Sequence, residues 1–98
     1  MADQRSRIFR WYDRKAETNR ARHGVGFEEA ESVFDDPLAR TDPDPDHSDD
    51  ENRELIFGHS AKGRLLLVGF VERGDSVRII SAREADKEER KRYEEDIR

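Results

Sequence analysis

Two arginines near a predicted strand-to-helix junction are the side chains in this sequence best suited to binding an anion. Residues 78–84 read Arg-Ile-Ile-Ser-Ala-Arg-Glu, and the two isoleucines favour the end of a β-strand. Ser81 and Glu84 have the spacing of a capping box, which predicts that a helix begins directly after the serine. Arg78 and Arg83 would then flank the junction, where guanidinium groups can grip a phosphate or carboxylate. A salt bridge from Arg83 to a nearby acid is the alternative interpretation.

Proton transfer would need a second kind of side chain, and the sequence has three histidines. His47 is close in sequence to Glu51 and Arg53, so one segment contains an imidazole, a carboxylate and a cation. On an extended chain Glu51 and Arg53 would project to the same face, because they are two residues apart. A solvated loop histidine and an ordinary surface ion pair are the alternatives. We expect His23 to point inward as a structural residue, and His59 to lie at the surface.

Charge is distributed unevenly along the chain. The 98 residues carry a net charge of -5 and are 33% hydrophobic and 44% charged, which is typical of one small domain with a thin core. Residues 42–51 contain six of the 24 acids and no Lys or Arg, whereas residues 1–23 contain seven bases and three acids. Because the acidity is local, the overall charge does not exclude a nucleic-acid partner.

Missing residue types and segments exclude several classes of protein. The absence of cysteine excludes disulfides, zinc-thiolate sites and thiol nucleophiles, and fits a reducing cytosol. No apolar run approaches the roughly 20 residues that a transmembrane helix requires. The sequence therefore predicts a cytoplasmic protein that does not bind membranes.

The acidic segment resembles a calcium-binding loop only in part. Asp42, Asp44 and Asp46 match the first three ligand positions of an EF-hand. The sixth position is His47 where glycine is required, and the twelfth is Arg53 where a bidentate glutamate belongs. We expect neither a metal nor a cofactor, with a weak divalent site as the alternative.

The order of the predicted elements indicates an α+β domain that spans residues 1–98. The predicted strands are 7–12, 38–41, 54–59, 64–72 and 77–81, and the predicted helices are 13–23, 27–34 and 82–98. Asp13 and Gly24 are the expected caps of the first helix. Tight turns join the last three strands into an antiparallel meander, with the leucine-rich strand at its centre. We expect an antiparallel sheet with two N-terminal helices and one C-terminal helix, all packed on one side.

Several motifs, taken together, resemble the BrnT toxins of type II toxin–antitoxin systems. They include Tyr12-Asp13, His23-Gly24-Val25, Glu51-Asn52-Arg53 and Arg78-Ile79-Ile80-Ser81-Ala82-Arg83. The resemblance implies a RelE-like fold and a ribonuclease activity that inhibits translation. It also implies neutralisation by BrnA, a ribbon-helix-helix antitoxin that contacts the promoter DNA. The family usually has Trp and Thr where this chain has Tyr12 and Asp86.

The reaction that we expect, cleavage of RNA without a metal, assigns roles to the candidate residues. It requires a base for the 2′-hydroxyl proton, an acid for the departing 5′-oxygen and cations for the charge on the phosphorane. We expect catalytic roles for His47, Glu51, Arg53 and Arg83. We expect RNA-binding roles for Lys15, Arg22, Arg64, Arg78 and Tyr93.

Two interpretations remain open beside these assignments. Tyr93 can stack on a base or simply pack its ring against the sheet. The chain can also be a non-catalytic subunit that binds the antitoxin in a repressor complex, since Asp86 adds a negative charge near the predicted anion site.

Overall fold

The structure is a computed structural model that describes residues 7–44 and 52–96. Its strands are β1 Ile8–Arg10, β2 Arg40–Pro43, β3 Arg53–His59, β4 Leu65–Arg73 and β5 Ser76–Glu84. Its helices are α1 Asp13–His23, α2 Phe27–Ser32 and α3 Lys87–Asp96, and a 3-10 turn at Val33–Asp35 follows α2. His47 and Glu51 lie outside the described residues.

The five strands form one sheet in the order β1-β5-β4-β3-β2. The meander of β3, β4 and β5 is antiparallel as predicted, and the leucine-rich β4 is central. β1 instead runs parallel to β5, with Phe9 opposite Val77. The predicted α+β class is therefore confirmed, while the sheet is mixed rather than wholly antiparallel.

The sequence predicted the C-terminal end of α1 correctly and its N-terminal end with an error of one residue. The helix ends where Gly24 adopts a left-handed conformation with φ of 70° and donates its N–H to the carbonyl of Arg20 at 2.8 Å. Glycine has no Cβ to oppose that conformation, so the predicted stop is confirmed. The predicted cap at the other end is wrong by one residue, because Tyr12 occupies the N-cap position and Asp13 is already helical.

The predicted strand-to-helix junction at Ser81 is wrong. β5 continues to Glu84, which pairs with Leu66, so the strand ladder extends beyond the predicted capping box. The capping box lies further along the chain: Glu89 donates its N–H to Asp86 at 2.8 Å, and Asp86 donates its N–H to Glu89 at 2.9 Å. Backbone pairing with β4 outcompetes the local capping that the serine offered.

Helices pack on both faces of the sheet. On one face, called the core face here, α2 and the 3-10 turn cover a cluster of buried apolar side chains, among them Phe27, Val33, Ile56, Val68, Phe70 and Ile79. On the opposite face, α3 packs Tyr93 against Phe57, with ring centroids 5.1 Å apart. Phe57 and Ile56 are neighbours on β3, so their side chains point to opposite faces. The expectation that all helices lie on one side is therefore wrong.

Candidate functional site

A β-bulge brings Arg78 and Arg83 to the same face of the sheet. They are five positions apart in the sequence, so in a regular strand their side chains would point to opposite faces. In the pairing of β5 with β4, Ile79 and Ser81 face consecutive residues of β4, which leaves Ile80 as an extra residue. An extra residue of this kind shifts the alternation of the strand by one. Both arginines consequently lie on the face opposite the core face, which we call the cleft face.

Arg53 lies on the cleft face as well. Its backbone is opposite Val71, and Val71 is opposite Arg78, so the three residues form one row across β3, β4 and β5. The backbones of Arg53 and Arg78 are about 10 Å apart, since each strand spacing is about 4.8 Å. Arg83 is opposite Leu67, about 13 Å further along β4. The three arginines therefore share one surface.

A cleft of about 400 Å³ opens on this face between α1 and the sheet. The α1 side of the cleft is basic, with Arg14, Lys15, Arg22 and His23 in its lining. Arg53 and Asp44 line it from the sheet side, and Gly69 and Ser81 are among the sheet residues that complete it. Positions 14, 15 and 22 share one face of a helix by its 3.6-residue period. Among the described residues, the cleft lining therefore contains Arg14, Lys15, Arg22, His23 and Arg53 but one carboxylate, that of Asp44.

Asn19 holds α1 in this position. Its side-chain amide donates to the carbonyl of Ala82 at 2.8 Å and to that of Val25 at 3.0 Å, and it accepts the N–H of Ala82 at 3.0 Å. The side chain, 7% exposed, therefore pairs with β5 as a neighbouring strand would, beyond the point where β1 ends. Asn19 is not among the site residues predicted from the sequence. The available signal was a polar residue on the inner face of a helix, since buried polar groups need partners.

His23 does not have the structural position expected from the sequence. It is exposed and lines the cleft, while Asn19, one turn earlier, takes the inward position. His59 lies at the surface as expected, and its backbone N–H donates to a carboxylate oxygen of Asp36 at 2.7 Å. The inward prediction for His23 is therefore wrong, and an imidazole becomes part of the cleft.

Arg83 is held by a bidentate salt bridge with Glu89. Its two terminal nitrogens donate to the two carboxylate oxygens, each at 2.9 Å. These hydrogen bonds raise the pKa of Arg83 and lower the pKa of Glu89. The Arg83 side chain is 39% exposed, so it is fixed in orientation but still reached by solvent. The salt bridge offered as the alternative for Arg83 is therefore present.

Arg64 has a different environment, away from the cleft. It bonds the buried carboxylate of Glu29, with Nε 2.9 Å from one oxygen, and it also contacts Glu84 and the carbonyl of Gly24. Ser60 donates its hydroxyl to Glu29 at 2.7 Å. Hydrogen bonding to Arg64 is the main cause that lowers the pKa of Glu29, and the same contact raises the pKa of Arg64. Arg64 thus joins α2, β4, β5 and the end of α1.

Tyr93 packs its ring into the fold. It is 1% exposed, its ring centroid is 5.6 Å from that of His59, and its hydroxyl donates to the carbonyl of Leu38 at 3.4 Å. Burial is the main cause that raises the pKa of this phenol. Packing against the sheet, the alternative left open for Tyr93, accounts for these contacts.

The segment that contains His47 and Glu51 is flanked by cleft residues. Asp44 and Arg53 both line the cleft, and the N–H of Asp44 donates to the carbonyl of Arg53 at 3.0 Å. Among residues 7–44 and 52–96, no three His, Asp or Glu side chains are grouped closely enough to hold a metal ion. Within the same ranges, no helix has the length and apolar character to cross a bilayer.

Comparisons with known proteins agree with the sequence motifs. A family model described as "Ribonuclease toxin, BrnT, of type II toxin-antitoxin system" matches residues 11–89, which include α1, β3, β4 and β5. The 1.1 Å crystal structure of the Brucella abortus ribonuclease toxin BrnT is similar, with a TM-score of 0.66 and 25% identity over 84% of this chain and 100% of that chain. No curated protein sequence matches significantly. This chain belongs to the BrnT family of ribonuclease toxins of type II toxin–antitoxin systems.

Proposed function

We propose that the cleft between α1 and the sheet binds a single RNA strand and that this chain cleaves a phosphodiester bond there. The observation that supports this is the concentration of cations: Arg14, Lys15, Arg22 and Arg53 line one cleft, in which Asp44 is the one acid among the lining residues described. RNA phosphates bind through such cationic groups, and a concave surface of one charge focuses that attraction.

The helix gives the proposed RNA path a direction. Lys15 and Arg22 are seven residues apart on α1, about 10 Å along the helix axis. They can therefore contact successive phosphates of one strand, and Arg78 on the same sheet face extends the cationic surface beyond the cleft. Backbone contacts of this kind give affinity without sequence preference.

The proposed reaction is endonucleolytic and uses no metal. The 2′-oxygen of a ribose attacks the adjacent phosphorus while a base takes its proton, and the 5′-oxygen leaves with a proton from an acid. The products are a 2′,3′-cyclic phosphate and a free 5′-hydroxyl. Arg53 supplies positive charge at the phosphorane, because it is half-buried and its backbone is held by pairing with β4 on one side and by the N–H of Asp44 on the other.

His47 and Glu51 are the proposed proton-transfer pair. The support is positional, because the cleft-lining residues Asp44 and Arg53 flank them in the chain. His23 is a third candidate, since its imidazole is exposed in the cleft. Separate alanine variants of the three residues would distinguish the two sources of imidazole by their pH–rate profiles.

Arg83 does not line the cleft and lies about 13 Å along β4 from the row of Arg53 and Arg78, so the catalytic role proposed for it, with Glu89 positioning it, requires the RNA strand to extend that far. Two hydrogen bonds already fix the orientation of this guanidinium in the folded protein. It therefore loses little conformational entropy when it stabilises the negative charge of the transition state. Glu89→Gln would keep the shape of the pair and loosen this orientation. We expect it to lower kcat with little change in KM.

Asp86 gives no support to the non-catalytic alternative. Its carboxylate accepts the N–H of Glu89 at 2.8 Å and so caps α3. Threonine, which the family usually has at this position, is also a favoured N-cap residue. The exchange therefore preserves the local role of the residue.

The biological role proposed here is inhibition of translation in the cytoplasm, reversed by a ribbon-helix-helix antitoxin similar to BrnA. The family assignment supports an antitoxin partner, and contact with promoter DNA would come through that partner. Induced expression is expected to arrest growth, with rescue by the product of the adjacent reading frame. A protein that causes no arrest yet still binds that product would establish the non-catalytic role instead.

Cleavage of a defined RNA by purified protein tests the reaction. We expect equal rates with EDTA and with magnesium, a loss of about 100-fold or more for Arg53→Ala, and near wild-type rates for Arg20→Ala. Arg20 is the matched control, because it lies on α1 but pairs with Glu28 at 3.8 Å, away from the cleft. Cleavage that disappears with EDTA and returns with magnesium would disprove the metal-independent mechanism. Equal losses for the two arginine variants would remove the cleft from the proposal.

A further inference from the structure

Tyr12 is the one aromatic side chain that the fold leaves exposed. The sequence contains one Trp, two Tyr and five Phe residues, all inside the described ranges, and every other one is buried or half-buried. Tyr12 is 60% exposed. A single exposed ring requires no explanation by itself, but the residues around Tyr12 indicate a ligand for this ring.

Three arginines share a pocket with the Tyr12 ring. Arg10, Arg73 and Arg78 line a shallow pocket together with Tyr12. The guanidinium carbon of Arg78 is 5.5 Å from the ring centroid, within the range of a cation–π contact. An aromatic ring set among cations is the combination with which proteins bind single-stranded nucleic acid, because the cations attract phosphates and the ring stacks on a base.

This pocket adjoins the proposed RNA cleft. Val71 lines the pocket and Gly69 lines the cleft, and the two residues are two apart on β4. They therefore share the cleft face and are about 7 Å apart along the strand. The row of Arg53, Val71 and Arg78 runs across three strands, from the cleft that Arg53 lines to the pocket that Val71 and Arg78 line. A single strand leaving the cleft would reach the ring without crossing an edge of the sheet.

We infer that Tyr12 is a stacking platform for a nucleobase of the bound RNA, next to the phosphates held in the cleft. The inference rests on the proposed function, which makes RNA the ligand. Arg78 supports the ring from one side, and the exposed part of the ring receives the base. Every nucleobase has a π face, so the platform adds affinity without selecting a sequence.

Binding of two fluorescent strands of ten nucleotides tests the inference. One is a 2′-O-methyl RNA, which lacks the attacking hydroxyl and so binds without being cleaved, and the other is its abasic counterpart. We expect wild-type protein to prefer the base-bearing strand by about 10-fold, a value within the range of one stacked base. Tyr12→Ala and Tyr12→Leu should remove most of this preference and leave abasic binding unchanged, whereas Tyr12→Phe and Tyr12→Trp should keep it. Leu38→Ala is the matched control, since Leu38 is another exposed apolar side chain, at 57%.

Each other outcome overturns the inference in a distinct way. If Tyr12→Ala and Tyr12→Leu weaken both strands equally, the ring acts by supporting α1 and not by stacking. If neither variant changes binding, the ring has another partner, such as a protein. If the wild type neither binds nor cleaves RNA, the proposed function itself fails, and the inference fails with it.

Discussion

Arg53 and Glu54 are neighbours on β3, yet they contribute to opposite surfaces, and the same holds for Arg73 and Glu72 on β4. Both arginines lie on the cleft face, whereas both glutamates line a groove of about 490 Å³ on the core face. That groove also contains Glu31, whose pKa is raised by burial and by nearby carboxylates. Alternation along a strand is what separates the charges, because successive side chains point to opposite faces. A chain with a net charge of -5 can therefore present one strongly basic surface.

Replacing Arg64 should have the largest effect on the protein, because this cation contributes to neither surface and instead binds a buried carboxylate. Arg64→Met should lower the free energy of unfolding by about 3 kcal/mol, since it leaves the buried carboxylate of Glu29 without its partner. RNA affinity, measured well below the melting temperature, should stay near the wild-type value. Chemical denaturation and RNA binding check the two expectations. A stable Arg64→Met protein with weakened RNA binding would contradict the division between structural and cleft arginines.

The same ion pair predicts a dependence of stability on pH. Arg64 lowers the pKa of Glu29 below its ordinary value of 4.5, so the stabilisation is fully present above that value and is lost as pH falls through the lowered pKa. Glu29→Gln should therefore lose less stability than the wild type on acidification below about pH 4.5. Denaturation midpoints between neutral and acidic pH give the comparison, and parallel curves for the two proteins would argue against it.

Neutralising two charged side chains should weaken RNA binding when they line the cleft and should have little effect on it when they lie on the core face. Lys15→Gln combined with Arg22→Gln should weaken binding of non-cleavable RNA about 30-fold and reduce the slope of log affinity against log salt by about 1.4. Glu31→Gln combined with Glu54→Gln should change affinity by less than about 2-fold, because the sheet and the salt separate those acids from the bound strand. Titrations at several salt concentrations measure both. Similar slopes for the two double variants would abolish the distinction between the faces.

Asp86 should show the smallest effect, because this acid serves a helix cap. Asp86→Thr is expected to alter the free energy of unfolding by about 0.5 kcal/mol or less and to leave RNA cleavage unchanged, whereas Asp86→Ala should cost about 1 kcal/mol. Thermal unfolding and cleavage rates are the measurements. Faster cleavage by Asp86→Thr would show instead that this carboxylate opposes the basic surface.

Local signals in the sequence identified much of the fold. Gly24 ends α1 because only glycine adopts its backbone conformation without a steric penalty, and the apolar run in β4 placed that strand at the centre. The basic stripe of Lys15 and Arg22 was also readable, because helical spacing alone puts the two residues on one face. These features depend on a residue and its near neighbours.

Contacts between distant segments decided the rest. The serine of the predicted capping box became a strand residue, because pairing with β4 satisfies more backbone groups than one cap does. The sequence also could not distinguish Arg64, which is bound to Glu29, from Arg53, which lines the cleft, since Glu29 is far from Arg64 in the chain and the α1 residues of the cleft are far from Arg53.

The sequence by itself determined the family, the α+β class and a basic first helix. Only the tertiary structure decided which arginines share a surface, because the extra residue Ile80 shifts the alternation of β5 and turns Arg83 to the same face as Arg78. A bulge arises from the register between two strands, and register is a property of the pair, so neither strand's sequence contains it alone.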